Sequence, residues 1–184
     1  MSRSPKLLDI HVYGDDVLRL RAAEVETIDD ELLQFAKDLT HTMYKRDGVG
    51  LAAPQTGVSK RVIVVDPHWS KEGAKREPLV MINPEIESSD GETEMEEGCI
   101  SVPGIYARVQ RASAISVSFT DLSGERRLMK LSGYPAVVVQ HEHDHLNGIL
   151  FVDRLGTIAK LKVKRKLKEL ERKAVNGVNL RGED

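Results

Sequence analysis

His141-Glu142-His143-Asp144-His145 sets two imidazoles four residues apart, with a carboxylate next to the first. On a helix, residues i and i+4 share a face, so His141 and His145 can reach one ion. Glu142 then lies one position round, where a general base for a water polarised by that ion has to stand. The preceding apolar turn, Val137, Val138 and Val139, carries His141 inward, where an unpaired ring nitrogen is costly unless it is bonded or metallated. A satisfied core histidine is the commoner fate of one such residue. Two at this spacing with Glu142 between them favour a metal-dependent hydrolase. His143 falls on another part of the helix and is expected at the surface. Asp144 is either a support for a neighbouring group or simply solvated.

The third donor decides the chemistry. Zinc peptidases with the same helix motif often use a later carboxylate or imidazole, and Glu169 and Glu171 are the candidates, both amid lysines. Cys99 is the better choice. The chain's one cysteine, it sits in the polar, glycine-containing run Glu96-Glu97-Gly98-Cys99-Ile100-Ser101 rather than in a hydrophobic strand core. A thiolate with two imidazoles leaves a fourth position open, although an inert buried thiol is the alternative. Gly48-Val49-Gly50-Leu51-Ala52-Ala53-Pro54-Gln55 is not a dinucleotide loop: its third glycine is missing and it follows a helix. Two glycines and two alanines imply either a backbone that something approaches closely or a tight turn, with the Gln55 amide at its end.

Elements that could position these residues are visible. Asp29 to Lys45 is predicted as a helix, with an acidic first turn and Leu32, Ala36, Leu39 and Met43 at helical spacing. Arg61 to Asp66 and Pro78 to Asn83 are short apolar strands. Ile115, Val117 and Phe119 alternate with Ser116, Ser118 and Thr120, a strand with one wet face, and Ser123-Gly124 turns it towards a partner at Arg126 to Leu131. Pro135 opens the histidine helix and Asn147-Gly148 ends it. A last helix runs from about Thr157 to Ala174, with Ala159, Val163, Leu167, Leu170 and Ala174 as its apolar seam. The sum is an α+β fold of antiparallel β-sheets around a central metal-binding helix, with an N-terminal helix and a C-terminal helix, as one domain over 1–184.

Composition narrows the class. At 184 residues, 40% hydrophobic and 30% charged, the chain is an ordinary globular protein. A net charge of -2 argues against general affinity for DNA or RNA, and no apolar run is long enough for a membrane span. Met1 to Leu8 lacks the apolar stretch of a secretory signal. A lone cysteine allows no internal disulfide and suits a reducing compartment. With no large exposed apolar stripe, a monomer is expected.

Three segments taken together resemble the peptide deformylase family: Gly50-Leu51-Ala52-Ala53-Pro54-Gln55, Glu97-Gly98-Cys99-Ile100-Ser101 and Gln140-His141-Glu142-His143-Asp144-His145-Leu146. They stand in the family's order with similar intervals, and the similarity runs from about Val12 to Leu155. The resemblance implies removal of the formyl group from the N-terminal formylmethionine of new polypeptides in a bacterial cytoplasm. It implies Cys99, His141 and His145 as ligands of one divalent metal, iron(II) in the cell and zinc, nickel or cobalt in purified material. Glu142 would move the proton; Gln55 and the backbone N–H of Ile100 would hold the oxyanion, with Gly50 beside them. Substrate would be bound by Val49, Gly50, Glu97, Gly98, Ile100, Tyr134, Val137, Val138 and the ring face of His141. Ile100 stands where leucine is usual and Val49 where isoleucine is common. Gly104-Ile105-Tyr106 replaces a stretch in which some bacterial members carry an arginine near the substrate.

The last helix carries Lys162, Lys164, Arg165, Lys166 and Lys168. Such a run is commonly a solvated face, and the resemblance offers a second use, contact with ribosomal RNA near the exit of the nascent chain. Two rivals to the deformylase remain: a zinc endopeptidase with a ligand beyond His145, and a metal-stabilised binding protein with a closed shell and no turnover.

Overall fold

The computed structural model describes residues 3–182, so Met1 and Ser2 of the N-terminal segment lie outside the described residues. The first helix, α1, spans Asp30–Lys45, and Asp29 caps it by accepting the Leu32 N–H at 2.9 Å. Its inward face is the expected one, with Leu32, Ala36, Leu39 and Met43 fully buried. Strands β1 (Gly50–Ala52), β2 (Val62–Val65), β3 (Leu79–Asp90), β6 (Ala114–Thr120) and β7 (Arg126–Ser132) form one sheet in the order β1-β2-β3-β6-β7, each neighbour antiparallel. Strands β4 (Thr93–Cys99) and β5 (Val102–Arg111) form a separate hairpin. The histidine helix, α2 (Tyr134–Leu146), packs on β1, β2 and β7 and is bonded on another side to the hairpin. The fold is thus the expected α+β arrangement around a central helix.

Several details differ from the pattern read in the sequence. Strand β3 continues seven residues beyond Asn83. The left-handed backbone of Asn83 (φ 48°) and a register shift between Ile82 and Glu85 bend the strand past Pro84 instead of ending it. The wet face of β6 is partly closed, because buried Ser118 donates to Glu87 and accepts from Arg126 at 2.6 Å. His143 is not a surface residue. It is half-buried, with the Asn147 amide 3.4 Å from its Nδ1; burial first, then the charge of Arg61, lowers its pKa.

The third helix, α3 (Thr157–Glu171), ends short of Ala174 and docks through Ala159, Val163, Leu167 and Leu170 on a cluster that includes Leu18, Val102, Ile105 and Phe151. Its C-terminal extension turns back at Val175–Val178. Asn179 donates from its backbone to Asp15 (2.8 Å) and from its amide to the carbonyls of Tyr13 (2.7 Å) and Leu170 (2.9 Å). Leu180 then bridges His11, leading Arg181 to the rim of the main cavity. No described helix is long and apolar enough to cross a membrane.

Candidate metal centre and peptide cleft

Cys99 is the last residue of β4, and it pairs with Val102 across the turn Ile100–Ser101. The segment 96–101 is therefore a strand end and its turn, with a register shift between Glu97 and Cys99. That shift at Gly98 aims the sulfur at α2. The Sγ of Cys99 and one nitrogen each of His141 and His145 lie within 4.8 Å of one another, and His145 Nε2 is 3.3 Å from the sulfur. One thiolate and two imidazoles at these separations fit the bond lengths of a tetrahedral first-row ion, roughly 2.0–2.3 Å, with one position left open. Glu169 and Glu171 lie on exposed turns of α3 and are not members of this group.

The candidate ligand set is braced from behind by a network of buried charges. His141 Nδ1 faces Glu97 Oε2 at 2.8 Å, which leaves Nε2 for the centre. Arg111, the last residue of β5, donates through Nε and Nη2 to both oxygens of Glu97 (2.6 and 2.9 Å) and through Nη1 to Asp144 (2.7 Å). Asp144 in turn accepts two bonds from Arg154, at 2.5 and 2.6 Å. Burial alone would raise the Glu97 carboxyl, but Arg111 and His141 outweigh it and hold it down at about 2. Glu97 borders the cavity, but its oxygens face Arg111 and His141. Asp144 is the support that the sequence left as one of two choices. Arg111 was missed, and its signal was an arginine on the inward face of an alternating strand with Ile105 and Val109.

Glu142 is buried against Gly50: a β-carbon added to Gly50 would stand 2.5 Å from Glu142 Oε1. Close approach, one of the two meanings offered for the glycine run, is what this contact requires. Burial, followed among the raising influences by the carboxylates of Glu97 and Asp144, pushes the Glu142 carboxyl up to about 7 against the opposing pull of His141 and Arg111. Its Oε2 has no hydrogen-bond partner among the described residues. Gln55, in a short turn of 3-10 helix at Ala53–Thr56, accepts the Ala52 N–H at 2.9 Å. That bond fixes its amide, so Nε2 points at Ser101 Oγ (3.1 Å) and Cys99 Sγ (3.4 Å).

In front of these groups lies a cavity of about 440 Å³ lined by Val49, Ile100, Tyr134, Val137, Val138 and the side of His141. Gly50, Gln55, Gly98 and Glu142 also border it. Tyr106 of the Gly104-Ile105-Tyr106 stretch, 68% exposed, lies across Gly98 at the rim, so close that a β-carbon on Gly98 would meet its ring at 2.5 Å. A buried carboxylate beside a Cys-His-His donor set, at the floor of an apolar cleft with one strand edge along it, is the working part of a metal-dependent hydrolase.

Residues 7–161 match the family model described as polypeptide deformylase. A peptide deformylase of Alkalilimnicola ehrlichii is 46% identical over 166 residues, 90% of this chain and 92% of the relative. The crystal structure of a peptide deformylase from Legionella pneumophila superposes with a TM-score of 0.81 at 44% identity, covering 90% of this chain and 96% of that one. A Met-Ala-Ser-bound peptide deformylase from Acinetobacter baumannii gives 0.75 at 41% identity, over 84% of this chain and all of that one. The chain belongs to the polypeptide deformylase family, whose activity is the metal-dependent hydrolysis of the N-formyl group from N-terminal formylmethionine.

Proposed function

We propose that this chain deformylates new polypeptides through the groups that meet at α2. The observation that carries the proposal is the convergence of Cys99, His141 and His145 next to a Glu142 buried against Gly50. Cys99, His141 and His145 would hold the ion, iron(II) in the cell, with zinc, nickel or cobalt able to replace it on the same soft and borderline donors. When bound, the ion supplies Lewis acidity for the attacking water and the formyl oxygen. Glu142 takes the proton from that water and hands it to the departing amine, which has to be protonated to leave. Gln55 Nε2 and the Ile100 N–H donate to the developing oxyanion, a role the Ala52-to-Gln55 bond prepares by fixing the amide. The methionine side chain enters between Val49, Ile100, Tyr134, Val137 and Val138, against the ring of His141.

The test is direct. Protein loaded anaerobically with iron(II) is given formyl-Met-Ala-Ser, and new free amine is measured for the wild type and for Glu142→Ala. We expect turnover by the wild type and a loss of about 10²–10⁴ in the variant, the usual worth of a positioned acid/base. No amine release by the metallated wild type refutes the assignment. We take the chain to be a single catalytic domain, a cytoplasmic monomer, with nascent formylmethionyl peptides as its partner. Lys162, Lys164, Arg165 and Lys168 are exposed on α3, and this basic face suits contact with ribosomal RNA. Ribosome affinity that neither weakens with salt nor changes on truncation after Gly156 refutes that contact.

A further inference from the structure

Strand β1 is the edge of the five-stranded sheet that borders the cavity, and its register shows which groups it offers. Asp66 N–H donates to the Val49 carbonyl at 2.8 Å, while Gly50 stands opposite Val65. In an antiparallel pair, bonded and non-bonded positions alternate, so Gly50 turns its N–H and C=O away from β2, towards the open edge. Two residues further on, Ala52 N–H also faces outward, and there Gln55 takes it. Towards the chain's start, the Gly48 C=O accepts the indole N–H of Trp69 at 2.8 Å. Side chains of the protein thus occupy both ends of the edge, with the groups of Gly50 between them.

This arrangement also sets the direction of a bound peptide. Glu142 lies against Gly50, so the reacting end belongs there. The Ala52 end is buried and blocked by Gln55, whereas the cavity continues past Gly48 to Asp47 and Arg46. A peptide leaving the centre along the edge therefore runs towards Gly48, antiparallel to β1, and its residues after methionine meet the part of the edge that Trp69 holds.

Trp69, the chain's one tryptophan, is itself fixed. It lies between β2 and β3, edge-on to the Tyr44 ring at 5.2 Å. The Arg76 guanidinium sits over both rings, 4.4 Å from Tyr44 and 5.1 Å from Trp69. Tyr44 O–H donates to Asp66 at 2.5 Å, and Asp66 also accepts the Glu77 N–H at 2.8 Å, closing the loop on itself. His68 of the same loop lies 6.1 Å from the ring of Tyr134 on the cavity wall. A β-carbon at Gly48 would stand 2.6 Å from Ile100 Cδ1, so a side chain there would press on a residue of the cavity wall. The Gly48 backbone is held at both polar groups, the N–H donating to the Met43 carbonyl at 2.9 Å and the carbonyl accepting from Trp69.

We infer that Trp69 is a positioning residue that holds the Gly48–Gly50 edge in register for the substrate's residues beyond methionine. The inference rests on the proposed deformylation and assigns the β2–β3 loop a share in peptide affinity. The test uses Trp69→Phe, which keeps the ring under Arg76 and removes the N–H. Two substrates are compared on the metallated enzyme, formyl-Met-Ala-Ser and formyl-methioninamide, which lacks the downstream residues. For the tripeptide we expect kcat/KM to fall about three- to tenfold, carried by KM, as the loss of one neutral hydrogen bond allows. For formyl-methioninamide the change stays within about twofold. Equal losses on both substrates, or none on the tripeptide, overturn the inference, because general loosening of the loop would not distinguish substrate length.

Calorimetric binding of Met-Ala-Ser and methioninamide repeats the comparison without turnover. It judges Trp69 even where a wild type inactive on both formyl compounds has refuted the function itself. Should Trp69→Phe fail to fold, Arg76→Met, an exposed change that loosens the same stack, decides by the same two-substrate ratio. A ratio equal to that of the wild type then overturns the inference.

Discussion

Arg111→Met tests whether the metal centre depends on the charges behind it. Arg111 is 6% exposed and makes three bonds, two to Glu97 and one to Asp144. Methionine fills much of the same volume, so the change is chiefly loss of charge and donors. Asp144 keeps its two bonds from Arg154, but Glu97 is left a buried carboxylate with His141 as its one remaining side-chain partner. Breaking a buried pair from one side costs about 3–5 kcal/mol, because the stranded charge stays desolvated. The retained Arg154 pair points to the lower end, about 3 kcal/mol. Urea unfolding of the metal-free protein at pH 7 reads this as a midpoint lower by about 1–2 M for a slope near 2 kcal/mol/M. Metal competition reads the second effect, a ten- to hundredfold weaker site once the partner of His141 is unbraced. Glu97→Gln added to Arg111→Met should recover part of the stability, since it removes the stranded charge. A double variant less stable than Arg111→Met, or a single variant within about 1 kcal/mol of wild type with unchanged metal affinity, refutes the reasoning.

Two further perturbations act on separate parts of the molecule. Gly50→Ala places a methyl where Glu142 Oε1 now sits 2.5 Å away, so the carboxylate must move; kcat on formyl-Met-Ala-Ser should fall roughly a hundredfold, and near-normal kcat would show that Glu142 works from elsewhere. At Asp15, burial would raise the carboxyl, but the Asn179 N–H, His11 and the Val17 N–H together hold it below its ordinary 3.8. A depressed folded pKa gives stability that is present above the unfolded value and lost as pH falls towards the folded one. The gap in urea midpoint between wild type and Asp15→Asn should therefore be steady at neutral pH and close below 3.8; a gap unchanged at pH about 2.5 would rule out the charge as its source.

What could be read from the sequence was whatever local spacing enforces. The two helices that carry apolar faces or paired histidines, α1 and α2, start and stop where Asp29, Pro135 and Asn147-Gly148 say they should. The β6–β7 hairpin follows from alternation and a Ser-Gly turn. The β4–β5 hairpin was hidden for the opposite reason. Strand β4 is mostly polar, and its outward glutamates look like loop; its one fully engaged acid, Glu97, is inward only because Arg111 lies across the pair to neutralise it. Neither residue has a reason to be buried without the other, so no window along the chain containing only one of them can show the strand. The same holds for Trp69 and Gly48, 21 positions apart, and for Asn179 and Asp15, 164 apart. Three candidate donors, Cys99, His141 and His145, could be named from their chemistry alone because a metal demands particular atoms. The groups that keep those donors in place are demanded only by one another, and such mutual dependence becomes visible when the fold has brought them together.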